Sequence, residues 1–194
     1  MRIKPSVIVA TLFTLLLSSA FSNNIVVITT NDIIVVIDTS STNQSDYLDA
    51  INQARSTSHD CGEYGIMPPA PPLVWNDKLA YATQIHSNDL AQSNTFSHTG
   101  SGTSSDIVAQ EEHPGIGSSY EERAAYAGYT GWIYLGENIA AGYSTVQEVI
   151  DAWLSSPGHC HNLMNQDFTE VGMTKVYNSS STYKTYWAQE FGDR

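Results

Sequence analysis

Gly136-Glu137-Asn138-Ile139-Ala140-Ala141-Gly142, then Ser144 to Ser155, then Ser156-Pro157-Gly158-His159-Cys160-His161-Asn162, form the stretch whose reading decides the fold. The first part reads as a glycine-bounded loop holding an acid. The middle is an amphipathic helix, with Val146, Val149, Ile150 and Trp153 on one face. Ser144 and Gln147 have the spacing of a capping box at its start. Pro157-Gly158 ends the helix in a turn that presents His159 and His161. An acid and two histidines near one helix end are candidates for a metal or acid/base site.

Working outward, residues 171–177 and 183–191 are rich in β-formers and are separated by Asn178-Ser179-Ser180-Ser181. They read as an antiparallel hairpin. Upstream, Ser45 is placed to cap a helix of about 46–57, with Tyr47, Leu48, Ile51 and Ala54 as its apolar stripe. The proline run Pro68-Pro69-Ala70-Pro71-Pro72 forbids helix over the following loop. Asn76 caps a longer helix from Asp77 to about Ser93, carrying Leu79, Ala82, Ile85, His86 and Leu90. Residues 101–117 read as a long exposed loop, and Ser118 as the cap of a short helix through Tyr126. Helices come first and a hairpin last, which predicts an α+β fold in layers. No phosphate-binding glycine loop of the usual spacing is present.

Residues 1–20 carry a basic start (Arg2, Lys4), an apolar run from Val7 to Leu17, and small residues Ser18-Ser19-Ala20. They read as a secretory signal cleaved after Ala20, too short to span a bilayer comfortably. Residues 21–45 read as a spacer, with Ile25–Ile28 and Ile33–Ile37 either pairing as short strands or packing without order. The main domain is expected over 46–194. The chain of 194 residues holds 20 acids against 8 Lys and Arg, a net charge of −12; losing Arg2 and Lys4 takes it to −14. Such a surface repels nucleic acid and anionic lipid. The expected location is extracellular or periplasmic, with no transmembrane segment after cleavage.

Cys61 and Cys160 are the two cysteines. In an oxidising compartment a single pair reads as one disulfide, closing a loop of about a hundred residues; two free thiols are the alternative. A metal site built on these cysteines alone lacks a CxxC-type pair.

In order along the chain stand Pro72-Leu73-Val74-Trp75-Asn76, Leu79-Ala80, Phe96-Ser97-His98, Gly136-Glu137-Asn138-Ile139, Trp153 and Gly158-His159. This order resembles the CAP superfamily of cysteine-rich secretory, antigen 5 and pathogenesis-related proteins, over about residues 46–192. The run from Ser156 to Asn165 and the closing Tyr186-Trp187-Ala188-Gln189-Glu190-Phe191-Gly192 resemble its bacterial branch, the SCP-like proteins. The resemblance implies a three-layer α-β-α sandwich with a small antiparallel sheet and a central cavity. It implies that His98 and Glu137 face that cavity, and His159 is expected to join them. Many relatives have a second glutamate where this chain has Ser156, and a last-strand histidine where it has Tyr186. With Asn138 and Asn162, those two positions are expected in the cavity.

Two imidazoles and one carboxylate, His98, His159 and Glu137, make a ligand set for Zn²⁺ or another divalent ion. No cofactor is demanded by any other motif. Each residue also has a structural reading: His98 capping its helix, Glu137 holding loop N–H groups, and His159 bonding Glu137 to fix the turn. His86 and His161 read as packed or exposed, Asn138 and Asn162 as loop braces. Trp75, Trp153 and Trp187 read as core, while Trp132 and Tyr134 could line a cleft. Ser155, Ser156 or Cys160 beside His159 would be nucleophile candidates, but sequence neighbours rarely face one another with the geometry required. The favoured reading is a non-enzymatic extracellular binding module for a lipid, a glycan, a divalent metal or a protein. The alternatives are a metal-dependent hydrolase, with Glu137 as ligand or general base, and a structural surface-interaction protein.

Overall fold

A computed structural model describes residues 25–30, 33–38 and 44–194; the signal-sequence reading of residues 1–20 lies outside them. The chain divides into two units, with the boundary at Ser41–Thr42. In the first, β1 (Ile25–Thr30) pairs antiparallel with β2 (Ile33–Asp38), Ile25 opposite Asp38 and Thr30 opposite Ile33.

The second unit runs in chain order α1 (Gln44–Arg55), β3 (His59–Asp60), β4 (Ile66–Met67), β5 (Val74–Trp75), α2 (Asp77–Ser93), α3 (Ile107–Glu112), α4 (Tyr120–Tyr126), β6 (Leu135–Ala141), α5 (Val146–Leu154), α6 (Pro157–Met164), β7 (Glu170–Tyr177) and β8 (Thr185–Gly192). The central sheet has the order β5-β7-β8-β6. It is antiparallel except at β5, whose two residues run parallel to β7. The expected α+β sandwich is found, with this one parallel pair added. No helix among the described residues is long and apolar enough to cross a membrane.

Strand alternation sorts the side chains to the two faces of the sheet. Val171, Met173, Trp187 and Phe191 meet Tyr47 and Ile51 of α1, Val149, Ile150 and Trp153 of α5, and Leu163 of α6 in the main core. On the other face lie α2 and α4. There Gly172 sits directly under α2, so close that an added Cβ would run into the backbone of Leu79 and Ala80. Glycine is what lets the helix approach the sheet at that point. Asn76 caps α2 as expected, its side chain accepting from Lys78 N at 2.9 Å and Leu79 N at 3.3 Å.

Several boundaries differ from the sequence reading. Gly136–Gly142 is not a loop: Leu135–Ala141 is the strand β6, paired along its length with β8. Pro157 does not end structure but opens α6, at a first helical position where its missing N–H has no partner to lose. The stretch 101–117 contains α3, started by Asp106. The caps of α4 and α5 each fall one residue later than read. Ser119 pairs with Glu122, and Thr145 pairs with Glu148, each a reciprocal capping box. Ser118 is instead buried, donating to Asp106 Oδ1 at 2.7 Å. Ser45 lies inside α1 rather than capping it. Cys61 and Cys160 form a disulfide, with 5.4 Å between Cα atoms, tying α6 to the segment after α1.

Candidate ligand-binding site

β6 is an outer strand of the sheet, and its alternation places successive residues on opposite faces. Glu137 points toward α2 and α4, and Asn138 toward α6. Both are buried because β8 covers one edge and helices cover both faces.

On the α2 face Glu137 is the centre of a polar knot. Arg123 of α4, fully buried, donates to Glu137 Oε2 at 2.7 Å. The same guanidinium donates to His98 O at 3.0 Å and Ser118 O at 2.6 Å. His98 Nδ1 lies 2.8 Å from Glu137 Oε1, and about half of its side chain, 53%, is exposed. Burial alone would raise the Glu137 carboxyl; the His98 hydrogen bond, the Arg123 charge and nearby His86 override it and hold the group below the usual carboxylate range. Because Glu137 is therefore an acceptor, His98 Nδ1 is the donor and its Nε2 is the outward nitrogen. His86 is wholly buried, with Nε2 3.0 Å from Ser97 O and 3.9 Å from Glu137 Oε2. Burial pushes its pKa down to about 4, against the pull of Glu137, so the ring is neutral near pH 7.

Glu190 stands opposite Glu137 in the β6–β8 register and opposite Gly172 in the β7–β8 register. It is fully buried, and neither carboxyl oxygen has a hydrogen-bond partner among the described residues. Burial, with the Glu137 charge adding and Arg123 opposing, pushes its carboxyl well above the usual range, so it carries its proton. The surroundings of the two cross-strand carboxyls thus push in opposite directions, Glu137 toward the ionised form and Glu190 toward the neutral one.

On the α6 face the expected bracing amides are in place. Asn138 Nδ2 donates to His159 O at 3.2 Å and Gln189 Oε1 at 3.1 Å. Asn162 Nδ2 donates to Glu137 O at 3.2 Å and Asn138 Oδ1 at 3.1 Å. His159 does not reach Glu137; its Nδ1 shares a hydrogen bond of 2.9 Å with Ser156 Oγ in the first turn of α6. Burial lowers its pKa, and the His98 ring adds to this.

A pocket of about 270 Å³ opens along the outer edge of β6. Ile139, Ala140 and Ala141 form its floor; Phe96, Tyr143, Trp153 and Tyr183 stand in its walls; Ser156 and His159 close one end. Trp153 is both core and wall, its Nε1 donating to Ile139 O at 3.1 Å. Tyr186 does not face this space. Its buried ring packs on Leu90 and Ala91, with the hydroxyl 3.3 Å from Asn94 Oδ1, and Tyr183 stands edge-on above it. Trp132 packs on the Leu79–Tyr129 cluster and Tyr134 is exposed, so neither lines the pocket.

As a set of three, His98, Glu137 and His159 do not converge on one metal ion. Both oxygens of Glu137 are already bonded, one of them to a buried guanidinium that would repel a dication. His159 is turned to Ser156. Among the described residues no group of three or more His, Cys, Asp or Glu is arranged to hold an ion. Arg123 and Glu190 escaped the sequence reading. Glu190 was detectable: an acid in a β-rich strand, in step with Tyr186 and Ala188, points inward by period-two alternation. Arg123 gave no comparable local signal.

The family model of the cysteine-rich secretory proteins, CAP, matches residues 48–191. The uncharacterized protein YkwD of Bacillus subtilis is 29% identical over 62% of this chain and 39% of its own length. The uncharacterized membrane protein YlbC of the same species is 29% identical over 52% of this chain and 25% of its own. The chain thus spans well under half of the curated relatives it matches. Among solved structures, an extracellular protein containing a SCP domain from Bacillus anthracis is 26% identical with a TM-score of 0.56, over 78% of this chain and 40% of that one. An outer surface protein of Borrelia burgdorferi, 19% identical, shares the fold with a TM-score of 0.56 over 81% of this chain and 96% of that one.

Proposed function

The chain belongs to the cysteine-rich secretory protein family, and from that premise we propose that it is an exported binding module whose ligand lies in the pocket beside β6. The observation that carries this reading is the pocket lining: four aromatic side chains and the apolar edge of a strand, with His159 and Ser156 as the polar end. Such walls suit apolar or aromatic groups of a ligand stacked on aromatic faces. The Glu137 carboxylate is used up in holding Arg123 and His98, which fits a brace better than a group that must gain and lose protons during a reaction. Export is supported by the signal-like residues 1–20 and by the extracellular character of the Bacillus anthracis neighbour.

The test uses Nile red, a neutral apolar dye, with the purified chain. Saturable fluorescence enhancement is expected. Ala152→Trp, placed on the wall where a larger side chain fills the pocket, should weaken it at least tenfold while leaving the circular dichroism spectrum intact. Equal binding by that variant would overturn the assignment. Mass measurement of the secreted product should show residues 1–20 missing; a secreted product retaining them would refute cleavage.

A further inference from the structure

β6 is an edge strand with no described strand on its outer side; Ile139 and Ala140 are nearly fully buried there and Ala141 is half-buried. Gly142 N donates to Thr185 O of β8 at 2.9 Å, so even-numbered residues of β6 turn their backbone groups toward β8. The odd-numbered ones turn outward, as two side-chain bonds confirm: Trp153 Nε1 reaches Ile139 O, and Asn162 Nδ2 reaches Glu137 O. Those two bonds cover the outward carbonyls nearest α6. No described residue supplies a bond to Ile139 N or to Ala141 N and O. Ile139 and Ala141, which carry these three groups, both line the pocket.

From this we infer that the pocket's ligand is an extended, basic peptide segment that adds to the sheet along Ile139–Ala141. The inference rests on the binding reading above and names its ligand class. An acyl chain or a bare aromatic ring seated on that floor would bury two donors and an acceptor without partners. Each stranded group weakens binding roughly five- to a hundredfold. A peptide backbone satisfies all three while its alternate side chains enter the aromatic-walled space, the pattern of strand addition to a free edge. The enclosed part, about 270 Å³, suits one or two side chains.

Charge selects the basic class. Past Tyr143 and Ala152, which both spaces share, the pocket continues into a more open hollow lined by Ser144, Glu148, Asp151 and Ser155. Among the described residues no Lys or Arg lines either space. Glu148 spends one oxygen on the Ser144 and Thr145 N–H groups, and Asp151 Oδ1 accepts from Gln147. Lys175 is a nearby cation; it bonds Ser144 O at 2.6 Å, stacks over Trp187 and its charge also acts on the Glu148 carboxylate. Both carboxylates keep an oxygen for an incoming cation, and the chain as a whole carries −12.

The experiment is isothermal titration of the full secreted chain with acetyl-Lys-Val-Thr-Val-Lys-amide, whose lysine at each end serves either strand direction. Its partners are the same peptide with two alternate amides N-methylated and the peptide with both lysines replaced by glutamate. Saturable binding of the first is expected. N-methylation on the amides that face the strand should weaken it about tenfold or more, since it removes the donor to Ala141 O and sets methyl groups against the strand edge while leaving the side chains. The glutamate version should not bind. Ala141→Pro, which removes an outward N–H tolerated on an edge strand, should weaken the first peptide similarly. Equal binding of the methylated and unmethylated peptides overturns strand addition even if that variant fails to fold. Nile red binding blocked by Ala152→Trp, with no peptide binding, leaves the pocket standing and sinks the peptide; a lipid or glycan ligand then takes its place.

Discussion

Replacing Arg123 with methionine should cost about 3–5 kcal/mol at pH 7, the usual penalty for removing one partner of a buried ion pair. The structure explains why the cost should be high. The guanidinium is fully buried and donates at 2.6–3.0 Å to Ser118 O, His98 O and Glu137 Oε2. Methionine fills much of the stem's volume and supplies none of those donors. What remains is an ionised Glu137 with His98 as its one strong donor and a buried Glu190 across the strand. For a domain whose total stability is on the order of 5–15 kcal/mol, this approaches collapse.

The cycle with Glu137→Gln isolates the charge term. Glutamine keeps the shape and removes the charge that Arg123 compensates, so the double variant should lose at least about 2 kcal/mol less than the sum of the two singles. The Arg123→Met penalty should also shrink toward pH 5. Without its cation Glu137 has a raised folded-state pKa, and the proton it then takes up removes the unpaired charge. Urea unfolding followed by tryptophan fluorescence, with the disulfide intact, measures all four proteins at both pH values. Additivity within about 0.5 kcal/mol and a pH-independent loss would refute the view that Glu137 depends on Arg123.

Glu190 has a folded-state carboxyl raised above its unfolded value of 4.5, so its contribution is complete below that pH and is lost as pH rises through the folded pKa. Glu190→Gln should therefore flatten the stability profile on the alkaline side in thermal melts from pH 5 to 9; an unchanged slope would count against a buried neutral acid. Cys61→Ser with Cys160→Ser opens a loop of 99 residues and should cost up to about 4.7 kcal/mol by the chain-entropy relation, read by urea unfolding; a loss below about 1 kcal/mol would count against that relation here. Gly172→Ala drives a methyl into the backbone of α2, where no side chain can swing away. A loss of about 3 kcal/mol is expected, and a neutral result in thermal melts would contradict the close helix–sheet approach.

What the sequence made legible was local. Asn76 announced α2 because its amide meets two N–H groups within three residues. The Asn178–Ser181 turn announced β7 and β8 because period-two residues flank it. β6 was read as a loop because its glycines and the Glu137-Asn138 pair carry turn chemistry. That chemistry is overruled by β8 on one edge and helices on both faces, with Glu137 and Asn138 each given hydrogen-bond partners. α5 does end before Pro157, as the sequence reads, but the Pro-Gly turn expected after it is the first turn of α6, because a proline at a first helical position has no N–H bond to lose.

The site is less legible for the same reason. His98 and Glu137 could be named from motif resemblance, but their role depends on Arg123, which arrives from a separate helix. That cation changes the chemistry. Without it, a carboxylate between two imidazoles would invite a metal ion; with it, the carboxylate is neutralised inside the fold and locks β6 to α4 and to the His98 loop. With Arg123 and His98 on one face and Asn162 on the other, β6 is held from both faces, and its outer edge pairs with no described strand. The acid at the centre of the family resemblance therefore acts here at one remove: Glu137 fixes a strand that has no described neighbour strand on its outer edge.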